Sequence, residues 1–181
     1  MAKLHIKSQG HFDGACFLYS IANAYGALKG RNFPDKDWDR RVVTLPFMSE
    51  FMTTRGTTLY NDELPLYTFA ISRLLNKYDD GPFVIEPITN ISSGKTLANS
   101  INETSVLIVN IESEHWVCAV DKKLEDGLLF VACSSQLLEL RSRYFESKSQ
   151  NYGRLYNREL SISNGKVDWL HANMAIRVSL P

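Results

Sequence analysis

Two residues of this 181-residue chain, Cys16 and His115, are of the types that together do nucleophilic chemistry. Cys16 opens an amphipathic segment typical of a helix, and His115 opens an apolar run typical of a strand. The reactive form of cysteine is the thiolate, which both the positive end of a helix dipole and a nearby imidazole favour. Such surroundings lower a cysteine pKa from about 8.5 to roughly 3.5–7.5. The pair therefore predicts a thiol nucleophile, Cys16, with His115 as its base.

Attack on a carbonyl group also needs hydrogen-bond donors for the negative charge that develops on its oxygen. The N–H groups of the first helical turn beside Cys16 are one source. Gln9 precedes Cys16 by seven positions (16 − 9 = 7), and its side-chain amide is a candidate for the second. We therefore predict that Gln9 stabilises the oxyanion, and that Trp116, next to the base, packs over the site and contacts substrate.

Each of the two central residues has a structural explanation when taken alone. Cys16 is then a small buried hydrophobe and His115 a strand-end histidine bonded to a neighbour; only their combination favours catalysis. Cys118 lies three residues beyond His115 on the same predicted strand, so its side chain should point to the opposite face, into the core. Cys133 is predicted to be structural, with a redox role as the alternative. Three cysteines without a CxxC spacing argue against a closed disulfide framework and against structural zinc.

The secondary structure that must position these residues is predicted to change from helices to strands along the chain. The first part is predicted to be mainly helical and the second mainly strands, with a seam near Asp79-Asp80-Gly81-Pro82. The predicted helices are 13–30, pieces of 37–53, 64–78 and a short helix after Gly94; the predicted strands are 105–111, 115–121, 127–133 and 174–180. Residues 137–168 remain undetermined. Helices followed by an antiparallel sheet are an α+β arrangement.

Three stretches of the chain form a recognisable pattern: Gln9 with Asp13-Gly14-Ala15-Cys16-Phe17-Leu18, then Ser20-Ile21-Ala22-Asn23-Ala24, then 105–110 with His115-Trp116-Val117. This pattern resembles the papain-like cysteine peptidase superfamily in its compact bacterial type, C39-like or effector-like. The resemblance implies one domain over 1–181, with a helical lobe at about 1–80 packed on a sheet lobe at about 81–181. It also implies that Cys16 opens the central helix, His115 starts a strand of the facing sheet and Gln9 lines the oxyanion hole.

The chain departs from that pattern at the third catalytic position. The superfamily usually has Asn or Asp at the end of the strand after the histidine strand, where it orients the imidazole. Here the strand ends Phe130-Val131-Ala132-Cys133-Ser134-Ser135-Gln136. We predict that Ser134 orients His115, with Gln136 as second choice. A neutral acceptor fixes the tautomer but stabilises an imidazolium less than a carboxylate does.

The resemblance implies a thiol hydrolase acting on amide bonds, a cysteine protease with a peptide or protein substrate and no cofactor or metal. One fold hosts many reactions, so a deamidase or transglutaminase acting on a glutamine side chain is an alternative. A catalytically inactive papain-like binding module is another. The missing carboxylate favours the module, whereas Cys16, His115 and Gln9 oppose it.

Charge and hydropathy limit the classes of binding partner and the location that the sequence predicts. Lys plus Arg and Asp plus Glu each number 20, so the sequence has no electrostatic signature of binding to nucleic acid or an anionic membrane. The start lacks the apolar region of a signal peptide, and no run approaches the roughly 18 apolar residues of a membrane span. We therefore expect a cytoplasmic protein, with export by a signal-less route or injection into another cell left open. The oligomeric state is also left open.

Overall fold

The structure, a computed structural model, describes residues 4–8, 15–45, 48–51, 53, 56, 63–76, 82–135, 144–151, 154–162 and 167–181. The helices in these residues are α1 (Cys16–Lys29), α2 (Asp35–Val42), α3 (Met48–Phe51), α4 (Leu64–Leu75) and α5 (Gly94–Asn99). The strands are β1 (Val84–Ile88), β2 (Ser105–Ile111), β3 (His115–Lys123), β4 (Leu128–Ala132), β5 (Tyr144–Asn151), β6 (Arg154–Ser161) and β7 (Leu170–Ser179). Helices come first and an antiparallel sheet follows, so the predicted α+β class is confirmed.

Within the described residues, seven strands form one antiparallel sheet in the order β1-β7-β2-β3-β4-β6-β5. Strands β2, β3 and β4 are consecutive in the chain and adjacent in space. Because neighbours in such a meander run in opposite directions, the start of β3 and the end of β4 lie at the same end of the two strands. His115 begins β3 at this end.

Helix α1 covers one face of the centre of the sheet, where Ile108, Trp116 and Cys118 belong to its apolar cluster. The opposite face forms a second cluster, which includes Val117 of β3 and Leu97 of α5. Both faces of β2 are therefore covered, and all seven of its residues are buried. A strand buried on both faces is a continuous apolar run, which is why the sequence predicts β2 and β3 well.

The C-terminal end of α1 agrees with the prediction. The helix ends at Lys29, and Gly30 then adopts φ 65°, with its N–H donating to the carbonyl of Gly26. That left-handed conformation is a common helix ending and favours glycine. At the other end the N-cap residue is Ala15 and the helix begins at Cys16, which is later than the predicted start at residue 13. No helix in the described part of the chain is long and apolar enough to cross a membrane.

The structure adds strands that the sequence did not predict. β1 contains Pro87 and lies at one edge of the sheet, the position where a strand tolerates proline. β5 and β6 form an antiparallel pair at the other edge. These two strands occupy part of the segment 137–168, which the sequence left undetermined.

Candidate active site

Cys16 lies at the start of α1 and is only 3% exposed. Its Sγ accepts a hydrogen bond from the backbone N–H of Trp116 at 3.4 Å. Its carbonyl accepts from the Ser20 hydroxyl at 2.8 Å, a buried bond within the first turns of the helix. The start of α1 thus meets the start of β3, although Cys16 and Trp116 are a hundred positions apart in the chain.

His115 is the first residue of β3 and is 5% exposed. Its Nε2 lies 3.2 Å from Sγ of Cys133. Burial lowers the pKa of His115 from 6.5 to about 4, because the charged imidazolium loses its hydration. The ring is therefore neutral at pH 7 and can accept a proton.

The sequence paired the His115 ring with the Cys16 thiol. In the structure, Cys16 Sγ accepts a hydrogen bond from the N–H of the residue that follows His115, so the start of α1 lies beside the backbone at the start of β3. The hydrogen-bond contact found for the ring itself is with Cys133. Direct pairing of Cys16 with His115 stays a prediction.

Cys133, the residue after β4, is 1% exposed, and β6 holds its backbone in place. The Cys133 N–H donates to Oδ1 of Asn157 at 2.8 Å, and Nδ2 of Asn157 donates to the Cys133 carbonyl at 3.0 Å. The backbone pairing of β4 with β6 extends to Val131 and Arg158. The Asn157 side chain continues that pairing beyond the end of β4.

The contact to Cys133 differs from the predicted orienter, Ser134. Ser134 is fully buried, but the group on His115 Nε2 is the thiol one residue earlier. The sequence analysis chose Ser134 as the first polar side chain after the predicted strand. Gln136, the second choice, and Gln9, the predicted oxyanion donor, both lie outside the described residues.

Trp116 also differs from its predicted role over the site. Its ring is 4% exposed and packs against Phe17, with centroids 5.0 Å apart, and Tyr67, with centroids 4.6 Å apart. The ring is thus part of the core beneath α1. Trp116 contributes its backbone N–H to the site, through the hydrogen bond to Cys16.

The turn before His115 adopts an uncommon backbone conformation. Glu112 and Ser113 have φ values of 52° and 65°, and two consecutive residues with positive φ are the mark of the tight hairpin turn that suits twisted strands. The Glu112 N–H donates to the carbonyl of Trp169 at 2.7 Å, and the Ser113 hydroxyl lies 2.5 Å from Nδ1 of His171. Contacts to the segment at β7 thus hold the turn that leads into His115.

Asn157 and the β2–β3 turn are site features that the sequence analysis missed. Asn157 lies in the segment that had no predicted structure, and Glu112 and Ser113 lack the Asn-Gly signal of such a turn. Among the described residues, no group of three or more His, Cys, Asp or Glu side chains is placed to hold a metal ion.

Searches of protein-family models and of curated proteins find no match for this chain. A matching solved structure is the crystal structure of a double glycine motif protease from an AMS/PCAT transporter in complex with the leader peptide. The alignment has a TM-score of 0.56 and 9% identity, and it covers 99% of this chain and 94% of the protease chain. At this identity the likeness concerns the fold alone. The chain therefore has an α+β fold similar to that of this protease.

Proposed function

We propose that this protein is a thiol hydrolase that cleaves an amide bond in a peptide or protein substrate, with Cys16 as nucleophile and His115 as base. The observation that supports this most is the hydrogen bond from the Trp116 N–H to Cys16 Sγ. It places the sulfur at the start of a helix and beside the strand that begins with the histidine.

The surroundings of the sulfur favour its anionic form. The first turn of α1 directs backbone N–H groups and the positive end of its dipole toward the helix start. The Trp116 N–H adds a hydrogen bond that strengthens as charge develops on sulfur. Anion formation at Cys16 therefore needs no cationic neighbour, provided that a base takes the proton.

His115 supplies that base in its neutral form. Since burial lowers its pKa to about 4, the resting site at pH 7 holds imidazole rather than imidazolium. Proton transfer from the thiol then accompanies attack of sulfur on the carbonyl carbon, as in general-base catalysis. A standing thiolate–imidazolium pair, which the sequence analysis expected, is disfavoured by the same burial.

The remaining steps conserve atoms and charge. The tetrahedral intermediate has its negative charge on the former carbonyl oxygen, where the first-turn N–H groups of α1 and the Gln9 amide stabilise it. Collapse of the intermediate breaks the C–N bond, and His115 gives its proton to the departing amine. Water, deprotonated by His115, then attacks the thioester, releases the acid and restores the Cys16 thiol.

The proposed substrate class is a peptide. The matching fold belongs to a protease whose structure was determined with a leader peptide. A papain-like fold is compatible with several acyl transfers, so the product decides among them. Backbone cleavage fragments the substrate, whereas deamidation leaves its length unchanged and converts an amide to an acid.

The test combines a pool of random peptides with an electrophilic peptide probe, a vinyl sulfone of varied sequence. We expect the wild-type protein to cleave members of the pool and to form a covalent probe adduct on Cys16. Cys16→Ala should abolish both, and His115→Ala should slow both. Cys118→Ala is the matched control, because Cys118 is a buried thiol on the same strand as His115. Probe adducts and turnover that survive in Cys16→Ala would refute the proposal.

A further inference from the structure

We propose that the Cys133 thiol is the positioning group for His115, taking the place where the related enzymes have a carboxylate or an amide. The inference rests on the proposed function, because positioning matters only if His115 acts as a base. It starts from the 3.2 Å contact between His115 Nε2 and Cys133 Sγ. Both side chains are buried, so water does not compete readily for the ring nitrogen.

The hydrogen bonds around the sulfur select one tautomer of the ring. The Cys133 thiol donates toward the carbonyl of Ser135 at 3.8 Å. With its proton directed there, Sγ faces His115 Nε2 as an acceptor, so Nε2 carries the ring proton. Nδ1 is then the unprotonated nitrogen, and in the proposed function it is the atom that takes the proton of Cys16. A partner on one ring nitrogen fixes the role of the other.

The position of the sulfur is set from outside the His115 hairpin. Asn157 of β6 bonds both the N–H and the carbonyl of Cys133. This two-point attachment fixes the backbone of a residue that lies beyond the end of β4. Asn157 therefore acts on His115 through Cys133, as a second positioning residue.

A thiol differs from a carboxylate in what it does for the imidazole. It is a weak acceptor and neutral, so it orients the ring without offering a charge to stabilise the imidazolium. Cys133→Asp should therefore raise the imidazole pKa. Cys133→Ser, which keeps an acceptor of similar size, should preserve the tautomer. Cys133→Ala should lose it.

The thiol beside His115 has a rival interpretation as the nucleophile. Cys133 follows a strand and does not begin a helix, so it lacks the dipole that favours a thiolate at Cys16. Its proton is also directed away from the ring, toward Ser135. These features favour positioning, and the experiment includes the alternative as an outcome.

The primary measurement is the tautomer of His115, read from ¹⁵N-labelled histidine by long-range ¹H–¹⁵N correlation NMR at pH 7. The chain has four histidines, and His115→Gln assigns the signal. We expect the Nε2–H form in the wild type and in Cys133→Ser, and a mixture of tautomers in Cys133→Ala and Asn157→Ala. Cys118→Ala should leave the signal unchanged, and thermal unfolding verifies that each variant is folded.

Turnover of a peptide substrate supplies the second measurement. Cys133→Ala should lower kcat about tenfold, roughly 1.4 kcal/mol in the barrier, with KM unchanged and with partial rescue by Cys133→Ser. An unchanged tautomer and unchanged kcat in Cys133→Ala would overturn the inference, as would a probe adduct on Cys133 in an active Cys16→Ala variant. If no peptide is cleaved but the tautomer changes as expected, the positioning role stands and the proposed hydrolase function fails.

Discussion

Acidification from pH 7 to pH 4 should destabilise the folded protein by about 3 kcal/mol through His115 alone. In the unfolded chain this imidazole binds a proton near its ordinary pKa of 6.5, whereas in the folded protein burial lowers the pKa to about 4. The full difference of about 2.5 units (6.5 − 4) is worth about 3.5 kcal/mol at about 1.4 kcal/mol per unit. About 3 kcal/mol of it is lost by pH 4, where the folded imidazole is itself half protonated. Between the two pKa values only the unfolded state gains the proton, so stability is complete above pH 6.5 and falls as the pH approaches 4.

The assay is urea unfolding of the wild type and of His115→Gln at pH 7 and pH 4. Carboxyl groups titrate in the same range; burial raises the pKa of Asp121, for example. The informative quantity is therefore the difference between the two proteins in their loss of unfolding free energy. We expect the wild type to lose about 3 kcal/mol more than His115→Gln.

His5→Gln is the matched control for the loss of a histidine, since His5 is exposed rather than buried. Equal losses in the wild type and in His115→Gln would refute the reasoning. The imidazole would then accept a proton in the folded state as readily as in the unfolded chain, and the neutral base proposed here would be wrong.

Three further predictions concern reactivity and packing. Iodoacetamide at pH 7 should modify Cys16 and spare Cys118, because burial raises the pKa of the Cys118 thiol to about 12. Mass spectrometry of digests measures the labelling of each cysteine, and equal labelling of the two would contradict the prediction. Gly94→Ala should destabilise the protein by about 1–3 kcal/mol, since an added Cβ would lie 2.5 Å from Cβ of Ile162. Combining it with Ile162→Gly, which removes that Cβ, should give less than the sum of the two losses in urea unfolding. Arg154→Leu should lower the free energy of unfolding by about 3 kcal/mol or more in the same assay. The reason is that this buried guanidinium donates to the carbonyls of residues 103, 105 and 120. Its effect should add to that of an exposed control such as Lys36→Leu.

The centre of the fold could be predicted from the sequence because hydrophobic pattern and local structure agree there. Helix α1 buries residues on most of its surface, and strands β2 and β3 are covered on both faces. Such elements give long apolar stretches whose lengths distinguish helix from strand. The pairing of β3 with β4 also follows from a short polar turn.

Strand β6 shows why the remainder could not be predicted. Its residues alternate between buried and half-buried positions, as a strand at a core surface should. Two of the buried positions, however, are Arg154 and Arg158. A rule that looks for apolar residues at every second position misses a strand in which arginines occupy the core face. Asn157, which fixes Cys133, was missed with it.

The predicted partner of the His115 ring differs by one residue from the partner in the structure, and the reason is geometric. Neighbouring side chains at the end of a strand point in different directions, so a shift of one position changes which group meets a partner. The sequence analysis chose Ser134 as the first polar side chain after the predicted strand. The register and the Asn157 attachment place Cys133 at the ring instead.

Core packing also explains how the starts of α1 and β3, 99 positions apart in the chain (115 − 16 = 99), are held side by side. Phe17 follows Cys16 and Trp116 follows His115, and the rings of Phe17 and Trp116 pack edge to face with centroids 5.0 Å apart. Tyr67 contacts both rings, at 4.6 Å from each. Cys16 and His115 thus each directly precede a residue of a buried aromatic cluster, and the Trp116 N–H joins that cluster to the sulfur of Cys16. Because buried aromatic packing is rigid on the time average, a substitution such as Tyr67→Ala would disturb the hydrogen bond from the Trp116 N–H to Cys16 Sγ without touching either residue.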